Sequence, residues 1–268
     1  MSSLAPPALE AVGLSVGYHR RPVLEGIDIV VPAGGSLALV GSNGSGKSTL
    51  LRSIIGLLPP VAGELRVLGG RPGAQHQRIA YLSQFHASGF VLPLRAVDVV
   101  RMARFDLRGR FARATARDAE VVRESMERMG IAHLAGRALR SLSGGQQQRV
   151  YLAQVLAREA SLIVVDEPTA GLDAVGRDLF LAAMDVERAR GATVVASTHD
   201  IAEAARCGHV LLVAGRVIAE GAPDDVLTPA HLLDTFGISL ARVEDRLQVT
   251  EQHHVHHDHR HGLAPHQH

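Results

Sequence analysis

Nine consecutive residues constrain this 268-residue chain more than any other feature: Gly41-Ser42-Asn43-Gly44-Ser45-Gly46-Lys47-Ser48-Thr49. They satisfy the pattern G-x-x-x-x-G-K-[ST] in full. The pattern requires a strand before the loop and a helix after it. Ser36 to Val40 is strand-like, and Leu50 to Leu58 is helix-compatible. The glycines allow the backbone to curl so that successive N–H groups converge on phosphate oxygens. The following helix adds its positive N-terminal end. Lys47 is expected to reach the terminal phosphates as a point charge, and Ser48 to ligand Mg²⁺ through its hydroxyl. Composition sharpens the point. The 28 basic residues divide into 27 Arg and one Lys, and that one is Lys47. A planar Arg fork fits so narrow a nest poorly.

The rest of the chain is organised around this loop. Leu14 to Val16, Ile27 to Val31, Leu65 to Leu68 and Ile79 to Leu82 carry apolar residues between Gly/Pro punctuation and read as strands. Residues 95 to 158 are rich in Arg, Ala and Glu, with Val121, Val122, Met126 and Met129 at helical spacing. Leu162 to Val165, Thr193 to Ala196 and Val210 to Val213 are short apolar runs separated by helical segments. They predict parallel strands buried on both faces. The longest uninterrupted apolar run is six residues, Leu179 to Met184. A membrane-spanning helix needs about 20, so none is expected. The N-terminus lacks the basic start and apolar stretch of a signal peptide. A single cysteine, Cys207, fits a reducing compartment.

Leu162-Ile163-Val164-Val165-Asp166-Glu167 reads as a buried strand ending in two acids. Asp166 is placed to hold Mg²⁺ through water, and Glu167 to polarise an attacking water. Leu142-Ser143-Gly144-Gly145-Gln146 precedes a helix-compatible run, Gln147 to Arg158. Ser143 with the two glycines makes a second anion site at a helix N-terminus. One chain thus carries two phosphate-binding devices but one lysine loop.

On these motifs the chain resembles the ATPase subunit of an ABC transporter, over roughly residues 8 to 235. The resemblance implies an α/β P-loop NTPase fold: a RecA-like core with an antiparallel β subdomain, plus an inserted α-helical signature subdomain. It implies an ATPase domain over 8–238, with the helical subdomain at about 88–158. It implies ATP and Mg²⁺ as cofactors. It implies that two subunits sandwich ATP head to tail, with Ser143, Gly144, Gly145 and Gln146 of one closing over the nucleotide held by Gly41 to Thr49 of the other. Tyr18 falls where an aromatic stacks on adenine. Gln84 falls at the loop that senses the γ-phosphate through Mg²⁺ and the attacking water. Asp173, in Ala170-Gly171-Leu172-Asp173, falls at the segment that crosses the dimer interface. His199, in Ser197-Thr198-His199-Asp200, falls at the switch that contacts the γ-phosphate and orients the catalytic glutamate.

With no membrane span expected, the resemblance implies separate permease subunits docked near Phe85 to Arg104, and a peripheral position on the cytoplasmic face of the membrane. Arg78 to Gln84 and Leu92 to Met102 resemble the ATPases of zinc and manganese importers, although Ser83 stands where those carry Pro and Ala103 where they carry Gly. Such a system also implies an extracytoplasmic metal-binding protein. The alternatives are another transported solute, or a non-transport ABC ATPase such as one serving iron–sulfur assembly. Nucleic acid is not expected as a partner. The Arg-rich stretch Arg101 to Arg117 has compensating acids nearby, and the net charge is +1.

The segment from 241 to 268 is expected to be disordered when unliganded, because its end has almost nothing apolar to bury. Eight of the 15 histidines lie in the last 16 residues. His253, His254, His256, His257, His259 and His261 offer many alternative imidazole sets for Zn²⁺.

Overall fold

The computed structural model describes residues 6–84, 94–105, 114–236, 238–243 and 246–251. The chain runs β1 (Leu9–Tyr18), β2 (Arg21–Val31), β3 (Ser36–Val40), α1 (Lys47–Ile54), β4 (Ala62–Val67) and β5 (Ile79–Leu82). Then come three helices, α2 (Ala96–Phe105), α3 (Ala116–Arg128) and α4 (Gly144–Ala157). Alternation follows with β6 (Leu162–Asp166), α5 (Ala174–Ala189), β7 (Thr193–Thr198), α6 (Ile201–Ala204), β8 (His209–Val213) and β9 (Val217–Gly221). The chain continues through α7 (Pro223–Val226), α8 (Pro229–Phe236), β10 (Ile238–Val243) and β11 (Arg246–Glu251).

The central sheet has the order β5-β6-β7-β3-β8-β9. Its strands are parallel except for the β8–β9 pair. A second sheet, β2-β1-β4, is antiparallel. The alternation along β6 shows how the layers meet. Leu162 and Val164 pack with α1 and the antiparallel sheet, while Ile163 and Val165 pack with α2 to α5. Strands covered on both faces read as unbroken apolar runs, and all five residues of β3 and of β6 are buried. The parallel strands β3 and β6 deliver their C-terminal ends side by side with β7 between them. That edge of an α/β sheet is where ligands bind.

Strands β1 and β2 extend well beyond the runs Leu14 to Val16 and Ile27 to Val31, and four further differences from the sequence expectation stand out. Helix α1 stops at Ile54 and not near Leu58. Gly56 follows at φ +82°, and its backbone lies against Gly73, where any Cβ would sit 2.5 Å from the Gly73 Cα. Helix α4 begins at Gly144, three residues early, because the Ser143 side chain caps it. Strand β9 was not expected; it is half-exposed and lacks a continuous apolar run. Part of the segment expected to lack structure forms an antiparallel β10–β11 hairpin, with Leu240 opposite Val249. The two short strands satisfy each other's backbone groups. The tail histidines His253 to His261 lie outside the described residues, as do residues 85–93 of the expected docking stretch 85–104. Among the described residues, no helix is long and apolar enough to cross a membrane.

Candidate functional site

The loop between β3 and α1 is folded tightly against the core. Gly44 and Gly46 have φ of +80° and +106°, and a Cβ at Gly46 would lie 2.6 Å from the Leu24 side chain. A Cβ at Gly41 would lie 2.1 Å from the Val213 carbonyl oxygen. Both positions therefore require glycine. Lys47 is buried, and its Nζ donates to the carbonyls of Gly41 at 2.7 Å and Ser42 at 3.0 Å. Burial lowers the pKa of this ammonium, and the charges of Glu167 and Asp166 oppose that shift.

Helix α1 starts without a side-chain cap and with no acid in its first turn. By contrast, α3, α4, α5 and α6 are capped by Thr115, Ser143, Asp173 and Asp200. The first-turn N–H groups of α1 thus lack the side-chain acceptor that those four helices have. Ser45 Oγ, inside the loop, is buried with no hydrogen-bond partner among the described residues. A desolvated cation, uncapped amides and an unpartnered hydroxyl in one concavity fit a polyphosphate. The oxygen donors beside it, Ser48 at the start of α1 and Asp166 at the end of β6, suit a hard cation. No group of three or more His, Cys, Asp or Glu side chains forms a metal cage among the described residues. Mg²⁺ matches that pattern, because it is held by one or two protein ligands together with substrate phosphates.

The two acids leave β6 in different states. Asp166 is buried and accepts a hydrogen bond from the Ser197 hydroxyl. Glu167 has φ +48°, a left-handed conformation that costs a residue with a Cβ about 1 kcal/mol or more. Its N–H is held by Ser197 of the neighbouring strand, at 2.9 Å to Oγ and 3.2 Å to the carbonyl oxygen. The turn aims the carboxylate at the loop. Glu167 Oε1 is 3.8 Å from Lys47 Nζ, and Oε2 accepts from Gln84 Nε2 at 3.1 Å.

Lys47, Gln84, Asp166 and Glu167 therefore converge. Other expected residues lie apart. His199 is exposed just beyond β7, and among the described residues the Glu167 carboxylate is partnered by Lys47 and Gln84, not by His199. Tyr18, at the end of β1, accepts a 2.7 Å bond from Arg52 of α1. Ser143 and Gln146 form a reciprocal capping box at the start of α4, at 3.3 Å and 3.1 Å. No described hydrogen bond or ion pair joins them to residues 41–49. Asp173 caps α5 by accepting from the Gly176 N–H at 2.8 Å. Ser197, which touches both acids, escapes sequence reading. Nothing local in Thr193 to Thr198 distinguishes it, since its role exists only once β7 pairs with β6.

Comparison with known proteins agrees with this geometry. Residues 24–170 match the family described as ABC transporter. The chain is 37% identical over 231 residues to the zinc transport system ATP-binding protein TroB of Treponema pallidum, covering 86% of this chain and 87% of that protein. It is 34% identical over 240 residues to the manganese transport system ATP-binding protein MntB of Bacillus subtilis, covering 89% and 96%. A solved ATP-binding subunit of an ABC transporter superposes with a TM-score of 0.71 at 29% identity, covering 86% and 93%. On the motif, the fold and these relatives together, the chain belongs to the ABC transporter family, as one of its ATP-hydrolysing, ATP-binding subunits.

Proposed function

We propose that this chain powers the import of a divalent metal ion, zinc or manganese, through separate permease subunits. The observation that carries the hydrolytic part is the convergence of Lys47, Gln84 and a backbone-strained Glu167 at one loop. The cargo rests on the names of the relatives and on the stretches Arg78 to Gln84 and Leu92 to Met102.

In this reading Gly41, Ser42, Asn43, Gly44, Ser45, Gly46 and Thr49 line the phosphates of ATP, and Lys47 gives up its bonds to Gly41 and Ser42 to reach the terminal ones. Tyr18 supports the adenine. Ser48, Gln84 and Asp166 would hold Mg²⁺, which would neutralise charge on the phosphates. Glu167 accepts a hydrogen bond from the attacking water and aims it in line with the γ-phosphate, and His199 swings in to contact that phosphate. Catalysis of this kind is mostly positioning and charge stabilisation.

The second half of the site comes from a partner copy. Ser143 Oγ accepts from Gln146 within its own helix, so its O–H proton remains to donate to the partner's γ-phosphate. Gly144 and Gly145 allow close approach, and Asp173 sits at the dimer seam. Loss of the γ-phosphate removes these contacts and opens the dimer, a two-state element biased by ATP. The permease reads that motion on the cytoplasmic face of the membrane, and an extracytoplasmic binding protein delivers the metal. The ATPase unit spans 8–238. The His-rich tail, His253, His254, His256, His257, His259 and His261, buffers Zn²⁺.

Glu167→Gln tests the hydrolytic part. The variant binds ATP and accumulates as a dimer on gel filtration, with turnover lost. Undiminished phosphate release would remove Glu167 from the reaction.

A further inference from the structure

The mechanism above leaves one buried amide unused. Gln148 lies on α4, two residues after the capping box, and is 2% exposed. Its Nε2 donates to the carbonyl of Pro168 at 3.0 Å. Its Oε1 is buried with no hydrogen-bond partner among the described residues. An unpaired buried oxygen is unfavourable, and an apolar side chain of equal length would fill the same space without it. Apart from its bond to the buried Pro168 carbonyl, packing gives no reason for an amide here.

The bond's position supplies one. Pro168 directly follows Glu167, whose backbone is held at φ +48°. The turn beyond is short: Ala170 N–H donates to the Glu167 carbonyl at 3.2 Å, and Leu172 N–H to that of Thr169 at 3.1 Å. Helix α4 closes on the same turn a second time, since a Cβ built on Gly145 would lie 3.0 Å from the Gly171 carbonyl oxygen. The helix that carries Ser143–Gln146 is thus seated on the turn that aims Glu167. We propose that Gln148 is a positioning residue. Through Pro168 it fixes the left-handed Glu167 backbone, so that the aim of the carboxylate depends on how α4 is seated.

This rests on the hydrolytic reading of Glu167, and the experiment separates the two. Steady-state hydrolysis, ATP affinity and thermal midpoint are measured for the full chain, for Glu167→Gln, and for two Gln148 variants. Gln148→Met keeps length and volume and removes both polar atoms. Gln148→Glu keeps the shape and removes the donor. The expected result is a kcat at least tenfold lower in both, with KM and ATP affinity within about twofold of the parent chain. Gln148→Met removes one unpaired buried oxygen, Gln148 Oε1, and leaves another, the Pro168 carbonyl, so the midpoint stays within about 3 °C of the parent chain. A kcat within twofold of the parent in Gln148→Met overturns the inference while the hydrolytic reading stands. A fall in kcat matched by a fall in midpoint and in ATP affinity for both variants also overturns it, since that is the signature of packing alone. Full turnover in Glu167→Gln overturns both.

Discussion

At the scale of single residues, the site depends on bonds that cross between strands. Ser197 is the clearest case: its hydroxyl serves Asp166, and its oxygens receive the Glu167 N–H. A hydrogen bond to a charged group is worth about 1.5–3 kcal/mol, and each ~1.4 kcal/mol is tenfold in rate. Ser197→Ala is therefore expected to lower kcat by roughly tenfold. ATP affinity stays near that of the parent chain, because Ser197 lies behind the acids. Equal kcat in stopped-time phosphate assays would show that the acids are held by something else. Lys47 gives a complementary test. Its carbonyl partners and burial leave a slot for one slim ammonium. Lys47→Arg should lose at least about tenfold in ATP affinity by fluorescence titration, as the wider fork cannot enter; retained affinity would contradict the narrow-nest account. Lys47 was legible in the sequence because one local pattern specifies it. Ser197 and Gln148 were not, because their significance comes from neighbours 31 and 20 positions away.

Among elements, legibility followed unbroken apolar runs: β1 and β2 alternate buried and exposed residues and extend well past the runs expected for them. Strand β5 has the bounds that Ile79 to Leu82 suggested, and β3 those of Ser36 to Val40, because their apolar runs are covered by the fold. Strand β9 was missed since half-exposed residues carry no such run. The ends of α1 and α4 moved where Gly56 and Ser143 overrode helical spacing. The joint between the helical insert and the core has its own energetic signature. Glu187 of α5 is buried and receives Arg128 of α3 at 2.6 Å and Arg190 at 3.2 Å. Arg128 also donates to the Ala183 carbonyl at 2.9 Å. Breaking a buried pair costs about 3 kcal/mol when one partner keeps some water access, as Arg128 does. Glu187→Ala should lower the thermal midpoint by roughly 6–12 °C. A shift under about 2 °C would mean that the pair is not what joins insert to core.

For the whole molecule, the fold places Lys47, Gln84, Asp166 and Glu167 at the C-terminal edge of the sheet and the Ser143–Gln146 cap at the start of α4, on the helical insert. That division is legible in the sequence, as two phosphate-binding devices with one lysine. The tail belongs to this scale as well. Removing residues 251–268 should leave ATP hydrolysis within about twofold of the full chain while reducing zinc bound per chain by calorimetry. Equal zinc binding without the tail would dismiss its histidines as ligands. The central claim, that hydrolysis at Glu167 drives uptake of zinc or manganese, is tested most directly by accumulation of radiolabelled zinc and manganese. The assay compares cells lacking this chain with the same cells carrying the full chain or Glu167→Gln. The account predicts that the full chain restores uptake of one of the two metals and that Glu167→Gln does not. Uptake of both metals that is unchanged by loss of the chain, or restored equally by Glu167→Gln, would contradict it.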